Sequence, residues 1–204
     1  MKRFADKRYG TFSRYSAYTI GLEVKCPYCG KLGTVKMDDV YFYFQCATCG
    51  KRHQKERIEY RYQISEMCNK CDRHFRLDID KTQEQFKTLN IVCPYCGNKQ
   101  TGIVQKTQKG WYNYGEIKNG IEPFFNYQLF YQTDFNGKLI WAINREHLIY
   151  LIDYVDADIR EKGETSYQDF CGTATQSDQL PKFIKLAKNR ITILKLLNRL
   201  LENG

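Results

Sequence analysis

Four Cys-x-x-Cys pairs constrain the fold of this 204-residue chain more than any other feature of its sequence. Two thiolates separated by two residues can face one metal ion across a tight turn, and a tetrahedral Zn²⁺ site needs four ligands. We therefore predict two zinc ions. Because four thiolates leave no open coordination position, we expect these ions to hold structure and not to catalyse. The eight predicted ligands are Cys26, Cys29, Cys46, Cys49, Cys68, Cys71, Cys93 and Cys96.

Neighbouring pairs combine with the spacings Cys-x2-Cys-x16-Cys-x2-Cys and Cys-x2-Cys-x21-Cys-x2-Cys. Each gap can hold a β-hairpin between two metal-binding turns, or knuckles, which is the arrangement of a zinc ribbon. Two other groupings stay open, because the second and third pairs are only 18 residues apart and a cross-brace would join the first pair to the third. The residues directly after the four pairs tolerate the positive φ that a knuckle needs: Gly30, Gly50, Asp72 and Gly97.

Three other uses of the cysteines compete with zinc. Disulfides need an oxidising compartment. The tetrapeptide Cys-Pro-Tyr-Cys at 26–29 and 93–96 matches the glutaredoxin active site, but that chemistry uses the motif once, at the start of a helix. An iron–sulfur cluster also accepts four thiolates. Two similar hairpin sites favour zinc.

Composition indicates a folded, basic protein. Lys and Arg exceed Asp and Glu by 32 to 23, which gives a net charge of +9, and 42% of the residues are apolar. No apolar run is long enough to span a bilayer, and the N-terminal residues lack the apolar segment of a secretory signal. We expect a soluble, cytoplasmic protein.

Charge and glycine distribution predict the domain organisation. Residues 1–110 carry 21 basic and 11 acidic side chains, residues 111–179 are acidic, and the tail is basic again. Glycines near 110–120 indicate a boundary. The predicted divisions are a basic aromatic leader (1–20), zinc ribbon 1 (21–66), zinc ribbon 2 (67–110) and an α+β domain with a basic C-terminal helix (111–204).

Strand patterns support the ribbons. Residues 40–45 are β-prone and aromatic on both faces, whereas residues 57–63 and 75–80 alternate between apolar and polar side chains. These segments predict one strand in the first ribbon, one strand leaving its second knuckle, and one strand in the second ribbon.

The last division has a different pattern. Asn136-Gly137, between two β-prone runs, predicts a type I′ hairpin. Asn144 can cap a helix that extends to about Arg160, and a second helical pattern begins at Pro181 with a possible break at Asn189. The complete prediction is an α+β chain in which two tandem four-cysteine zinc ribbons precede a β-hairpin and two helices.

Two segments of the chain resemble known sequences. Residues 139–148 (LIWAINREHL) and 180–190 (LPKFIKLAKNR), together with the ribbon at about 26–49, are similar to uncharacterised bacterial zinc-ribbon proteins. Such proteins carry transcription-factor-B-type zinc-ribbon labels or are compared with the cysteine region of the PriA helicase. The resemblance implies no activity, and the chain has no Gly-x4-Gly-Lys-Ser/Thr nucleotide-binding motif.

Basic and aromatic residues alternate in the first 110 residues, which favours binding to DNA or RNA. Cations would attract phosphates, and exposed rings would stack on bases. The same composition also fits a solubilising surface around a small aromatic core. The predicted contacts are Lys51, Arg52, Lys55, Arg57 and Arg61 for phosphates, with Tyr41 and Tyr43 for bases.

Candidates for catalysis are few, and we predict no catalytic residue. His53 and His74 follow cysteine pairs and could replace a ligand or brace a knuckle, but the eight thiolates already make two complete sets. No sequence neighbour of the lone Cys171 supplies the base that a nucleophile needs. His147 and Asp153 would carry the least favoured hypothesis, a metal-dependent nuclease.

A protein-interaction adaptor is the alternative to nucleic-acid binding. Residues 145–201 would then present a surface to a larger complex. The basic helix that follows Pro181 could equally contact phosphates or pack against the acidic region 111–179. DNA or RNA preference, sequence specificity, oligomeric state and pathway do not follow from the sequence.

Overall fold

The computed structural model describes residues 1–8, 10–79, 86–111, 115–161 and 175–203. The chain forms two compact units. The first unit combines Met1–Lys55 with Asn113–Gly204, and the second is Glu56–Tyr112. Cys171, Asp80 and most of a predicted loop at 163–177 lie outside the described residues.

Strands of the first unit form one four-stranded sheet and two strand pairs. The strands are β1 (Arg3–Ala5), β2 (Leu22–Lys25), β3 (Leu32–Met37), β4 (Tyr41–Cys46), β5 (Arg52–Glu56), β11 (Tyr131–Phe135), β12 (Lys138–Ala142) and β13 (Ile159–Glu161). The antiparallel sheet has the order β2-β3-β4-β5, a hairpin pairs β11 with β12, and β1 pairs in parallel with β13.

Four helices lie in the described part of this unit. They are α1 (Arg14–Ile20), α2 (Arg145–Asp156), α3 (Lys182–Lys185) and α4 (Arg190–Glu202), with short 3₁₀ turns at Gln176–Gln179 and Ala187–Asn189. Nowhere in the described ranges does a helix have the length and apolar character of a membrane span.

The predicted hairpin and the start of α2 are confirmed. Asn136 and Gly137 both adopt positive φ, at 52° and 74°, as a type I′ turn requires. The side chain of Asn144 accepts a hydrogen bond of 2.9 Å from the N–H of His147 and so caps α2.

The end of α2 is earlier than predicted. The helix stops at Asp156, and not near Arg160, because Ile159–Glu161 extends to pair with Arg3–Ala5. The predicted break at Asn189 is confirmed, since a 3₁₀ turn separates α3 from α4 there.

One hydrophobic core joins the first ribbon to the helices. Side chains from the sheet, from α1, from the hairpin and from α2 and α4 belong to the same buried cluster. The domain boundaries predicted at 21–66 and 111–204 therefore separate elements that share a core. The core residues include Tyr18, Val24, Val35, Phe42, Phe44, Ile140, Leu148, Leu151, Ile193 and Leu197.

Residues 1–20 do not form a separate leader. Phe4 packs edge-on against Tyr150, with ring centroids 5.4 Å apart, and Phe12 stacks on His147 at 4.5 Å. The hydroxyl of buried Tyr18 donates to Glu122 at 3.1 Å. Phe12 and Tyr18 belong to the core and Phe4 packs against it, so these rings of the first 20 residues support the fold and are not available to stack on bases.

The second unit is built around its own small core. Its strands are β6 (Ile58–Met67), β7 (His74–Asp78), β8 (Thr88–Val92), β9 (Lys99–Ile103) and β10 (Gln105–Trp111). They form a sheet of order β10-β6-β7 and a hairpin of β8 and β9. The described part of this core has five buried residues, two of which are cysteines: Ile64, Cys68, Phe75, Ile91 and Cys93.

We expect Leu151→Ala to destabilise the first ribbon as well as α2, because both depend on one core. Removing a buried leucine side chain typically costs about 2–5 kcal/mol. Hydrogen exchange read by mass spectrometry should accelerate in β2–β4 together with α2, and change little in β6–β9. Ile64→Ala is the matched control and should show the reverse pattern. Exchange confined to α2 would contradict the shared core.

Candidate metal centres and nucleic-acid interface

All four knuckles use the same backbone hydrogen bonds. In the first knuckle, the N–H of Gly30 donates to the carbonyl of Cys26 at 2.9 Å, and the N–H of Cys26 donates to the carbonyl of Lys31 at 2.8 Å. Equivalent pairs of bonds recur at Cys46, Cys68 and Cys93. The residue after each pair has the predicted positive φ: 71° at Gly30, Gly50 and Gly97, and 56° at Asp72.

The knuckles bring the eight thiols into two clusters. The first cluster is Cys26, Cys29, Cys46 and Cys49, and the second is Cys68, Cys71, Cys93 and Cys96. All sulfurs of a cluster lie within 4.8 Å of one another. This grouping follows the adjacent pairing of the ribbons, and not the cross-brace or the combination of the second and third pairs.

Sulfur separations suit one tetrahedral ion in each cluster. The sulfurs of Cys26 and Cys49 are 3.7 Å apart, those of Cys29 and Cys46 3.6 Å, those of Cys68 and Cys96 3.5 Å, and those of Cys71 and Cys93 3.9 Å. A metal–sulfur bond of about 2.3 Å gives a tetrahedral edge of about 3.8 Å. A disulfide needs about 2.05 Å, and all eight cysteines are free.

At one sulfur of each cluster, backbone donors favour the thiolate form that a metal needs. The N–H of Cys49 lowers the pKa of Cys46 to about 6. Burial opposes ionisation of Cys68, but the N–H groups of Lys70 and Cys71 outweigh it and lower the pKa of Cys68 to about 6. Each cluster therefore contains a sulfur that the knuckle itself stabilises as an anion.

Neither of the histidines near the knuckles belongs to a cluster. The Nε2 atom of His53 lies 2.9 Å from the hydroxyl of Tyr28, and that of His74 lies 2.9 Å from the hydroxyl of Ser65. His53 thereby braces a knuckle residue, which was one of the two roles that the sequence left open.

The predicted nucleic-acid contacts divide between the two units. Lys51, Arg52 and Lys55 lie on or next to β5, the edge strand of the sheet, while Tyr41 and Tyr43 are half-buried on β4. Phe42 and Phe44 on the opposite face of β4 are buried. Arg57 and Arg61 belong to the second unit.

Several aromatic residues at the surface escaped the sequence prediction. Tyr28 and Tyr95 are each 55% exposed and occupy the same place in the two Cys-Pro-Tyr-Cys knuckles. On the second unit, the ammonium of Lys106 lies 3.8 Å from the ring centroid of Tyr60. For Tyr28 and Tyr95, the repeated tetrapeptide Cys-Pro-Tyr-Cys was the sequence feature that could have indicated their equivalent positions.

Buried His147 is not placed for acid–base chemistry. Its Nδ1 atom accepts a hydrogen bond of 3.3 Å from the N–H of Ile143, and its Nε2 atom has no partner among the described residues. Burial, helped by the charge of Lys7, lowers the pKa of His147 to about 3. Asp153 is exposed and, six residues further along α2, points about 120° away around the helix.

Basic side chains neutralise part of the acidic segment at the end of α2. Lys2 forms an ion pair with Asp156, its backbone N–H donates to Asp158 at 3.0 Å, and Arg190 lies 3.4 Å from Asp158. The start of α4 thus packs against the acidic region, which was one of three roles considered for the basic tail.

The apolar side of α4 faces its own unit. Ile193 and Leu197 are buried, and Leu194, Leu200 and Leu201 pack against the core, while Ile191 is 70% exposed. In the described part of residues 145–201, the large apolar side chains exposed to a protein partner are those of Ile149, Leu186 and Ile191.

We expect two metal ions per chain, one for each cluster. Cys49→Ser and Cys96→Ser should each reduce the metal content of the purified protein from two ions to about one, because each removes one of four ligands. Elemental analysis with counting of free thiols measures this. Cys171→Ser is the control and should keep two ions. Less than one ion in the wild type, with the sulfurs oxidised, would contradict the assignment.

Acidification should destabilise the protein through His147. The ring is neutral in the folded chain but takes up a proton once unfolded, so its contribution is complete above pH 6.5 and is lost as the pH falls toward 3. In urea titrations, the free energy of unfolding should fall by about 1 kcal/mol more in the wild type than in His147→Gln between pH 6.5 and 5.5. Equal losses in the two proteins would contradict burial of a neutral ring.

Comparisons with known proteins give the chain no relatives. No protein-family model, no curated protein and no solved structure matches it. The resemblance of residues 26–49 and 139–190 to bacterial zinc-ribbon proteins therefore stays a prediction.

Proposed function

We propose that this protein binds nucleic acid through the basic and aromatic surfaces of its two ribbons, each held together by one structural zinc ion. The proposal makes the protein a binding module and assigns it no catalytic step. It extends to both units, because each unit carries one cysteine cluster and part of the predicted basic set.

The donor set supports zinc as the metal. Four cysteine sulfurs at tetrahedral separations are typical of structural zinc sites, and zinc has no geometric preference that would conflict with a knuckle. Bound zinc would supply folding free energy, above all to the second unit, whose described core has only five buried residues. Side chains of the protein, and not the zinc ions, would contact the nucleic acid.

The observation that carries the proposal is a group of cations without acidic partners. Lys51, Arg52 and Lys55 form no ion pair with a carboxylate of the described residues, whereas Lys2, Lys109 and Arg190 do. The charge of Lys55 acts on buried Glu122, where it opposes the rise that burial causes in the pKa of that carboxyl. The charges of Lys51 and Arg52 stay available for phosphates, which dominate the affinity of proteins for nucleic acid.

Aromatic rings lie beside these cations. The ammonium of Lys51 is 5.5 Å from the ring centroid of Tyr28, and that of Lys55 is 6.0 Å from the ring centroid of Phe124. On β4, Tyr43 lies opposite Lys36 in the sheet register. Tyr28 is exposed, whereas Phe124 and Tyr43 are half-buried. Cations next to accessible rings are typical of proteins that bind single-stranded nucleic acid, with phosphates on the cations and bases on the rings.

The second unit would contribute its own contacts. Arg61 is exposed on β6, and Lys106 on the paired strand β10 lies over Tyr60. We propose that Arg57 and Arg61 contact phosphates there.

Charge reversal at the first unit's cluster should weaken binding. We expect Lys51→Glu/Arg52→Glu/Lys55→Glu to bind a labelled 20-nucleotide oligomer roughly tenfold more weakly, and to lower the salt slope of the affinity by about 0.7 for each phosphate that is no longer neutralised. Fluorescence anisotropy at several salt concentrations measures both quantities. Only side chains change, so the knuckle bond to the carbonyl of Lys51 remains.

The matched control is Lys182→Glu/Lys188→Glu/Lys195→Glu, which reverses three charges on the C-terminal segment. It should retain most of the affinity. Equal losses in both triple variants would show that overall charge, and not the ribbon surface, attracts the oligomer. No binding of the wild type at low salt would refute the proposal.

A further inference from the structure

One tyrosine stands out in each ribbon because it is exposed at the tip of a knuckle. Tyr28 and Tyr95 follow proline in the two Cys-Pro-Tyr-Cys-Gly segments, and each is 55% exposed. The segment opens the first ribbon but closes the second. The two ribbons therefore expose a tyrosine at the same position of a knuckle, although this knuckle comes first in one ribbon and second in the other.

A cation from the opposite knuckle accompanies each of these rings. The ammonium of Lys51 lies 5.5 Å from the ring centroid of Tyr28, and the guanidinium carbon of Arg73 lies 5.4 Å from that of Tyr95. Both cations are the second residue after the last cysteine of their knuckle. Their carbonyls accept the same knuckle hydrogen bond, from Cys46 in one ribbon and from Cys68 in the other, at 3.0 Å in both.

The surroundings of the two tyrosines hold the rings in place. Each ring is attached between a proline and a cysteine of a metal cluster, so its backbone has little freedom to lose on binding. Tyr28 has a further support, because its hydroxyl lies 2.9 Å from Nε2 of His53 and the two rings are stacked at 5.5 Å.

We infer that Tyr28 and Tyr95 are two stacking sites for unpaired bases of single-stranded nucleic acid. The inference rests on the proposed nucleic-acid binding and names its base contacts. An arriving base stacks on the exposed ring, and the flexible cation beside it turns to the adjoining phosphate. Any base suits such a site, because every base has a π face.

Replacement of each ring by leucine tests the inference. Tyr28→Leu and Tyr95→Leu should each weaken binding of a fluorescein-labelled oligothymidylate at least about fivefold, the lower end of the loss expected for one stacked base. The salt slope should stay unchanged, because every phosphate contact remains. Tyr28→Phe and Tyr95→Phe are the matched controls and should bind like the wild type, since they keep the ring.

Binding to a duplex separates stacking from general contact. Bases in a duplex are already stacked, so the leucine variants should lose much less affinity for double-stranded DNA than for the oligothymidylate. Equal losses on both ligands, or equal losses in the leucine and phenylalanine variants, would overturn the inference. Metal content of every variant is measured first, to show that the clusters are intact.

A crosslinking experiment needs no variant. Oligonucleotides with 5-iodouracil, irradiated in complex with the wild-type chain, should attach to peptides that contain Tyr28 or Tyr95. Crosslinks found only elsewhere would overturn the stacking sites while leaving nucleic-acid binding intact. A wild-type chain that binds neither oligomer nor duplex would refute the proposed function itself.

Discussion

The knuckle hydrogen bonds are the constraint on which the rest of this structure depends. In each knuckle, the first cysteine donates its N–H to a carbonyl five residues ahead and accepts the N–H of the residue after the pair. That closed turn points two sulfurs in one direction, and two facing turns complete a cluster. Three glycines and Asp72 make the turn possible, because they adopt a positive φ that other side chains resist.

The two ribbons differ in the hydrophobic core that stabilises them. The first is part of a larger unit, where Phe42 and Phe44 pack in one core with α1, α2 and α4. The hydrophobic core of the second has five buried residues in its described part, two of which are cysteines. A core of that size buries little apolar area, so a bound metal ion would contribute more to the stability of the second unit than to that of the first. The ligand cysteines are therefore a small part of the core of the first unit and a large part of the core of the second.

Whether a cation is available to bind a ligand depends on the residues that lie next to it. Lys2 and Arg190 are cations in sequence, but in the fold they lie beside Asp156 and Asp158. Lys51 and Arg73 lie beside exposed rings instead. Net charge of +9 therefore says less about binding than the location of the cations without acidic partners. Several cations of the basic tail also lack acidic partners among the described residues, so the exposed rings beside Lys51 and Arg73 are what favours the ribbon surface as the proposed interface.

The sequence by itself determined the local features: the ligand candidates, the positive-φ positions, the Asn136-Gly137 turn and the Asn144 cap, because each depends on residues a few positions apart. Spacing alone left the grouping of the knuckles open. Only the tertiary structure decided that Phe12 and Tyr18 are core residues, that Phe4 packs against the core and that Ile159 forms a strand beyond α2, since all three depend on partners more than 100 residues away. Burial is a property of the assembled chain, and so the exposed rings of Tyr28 and Tyr95 became visible only in the fold.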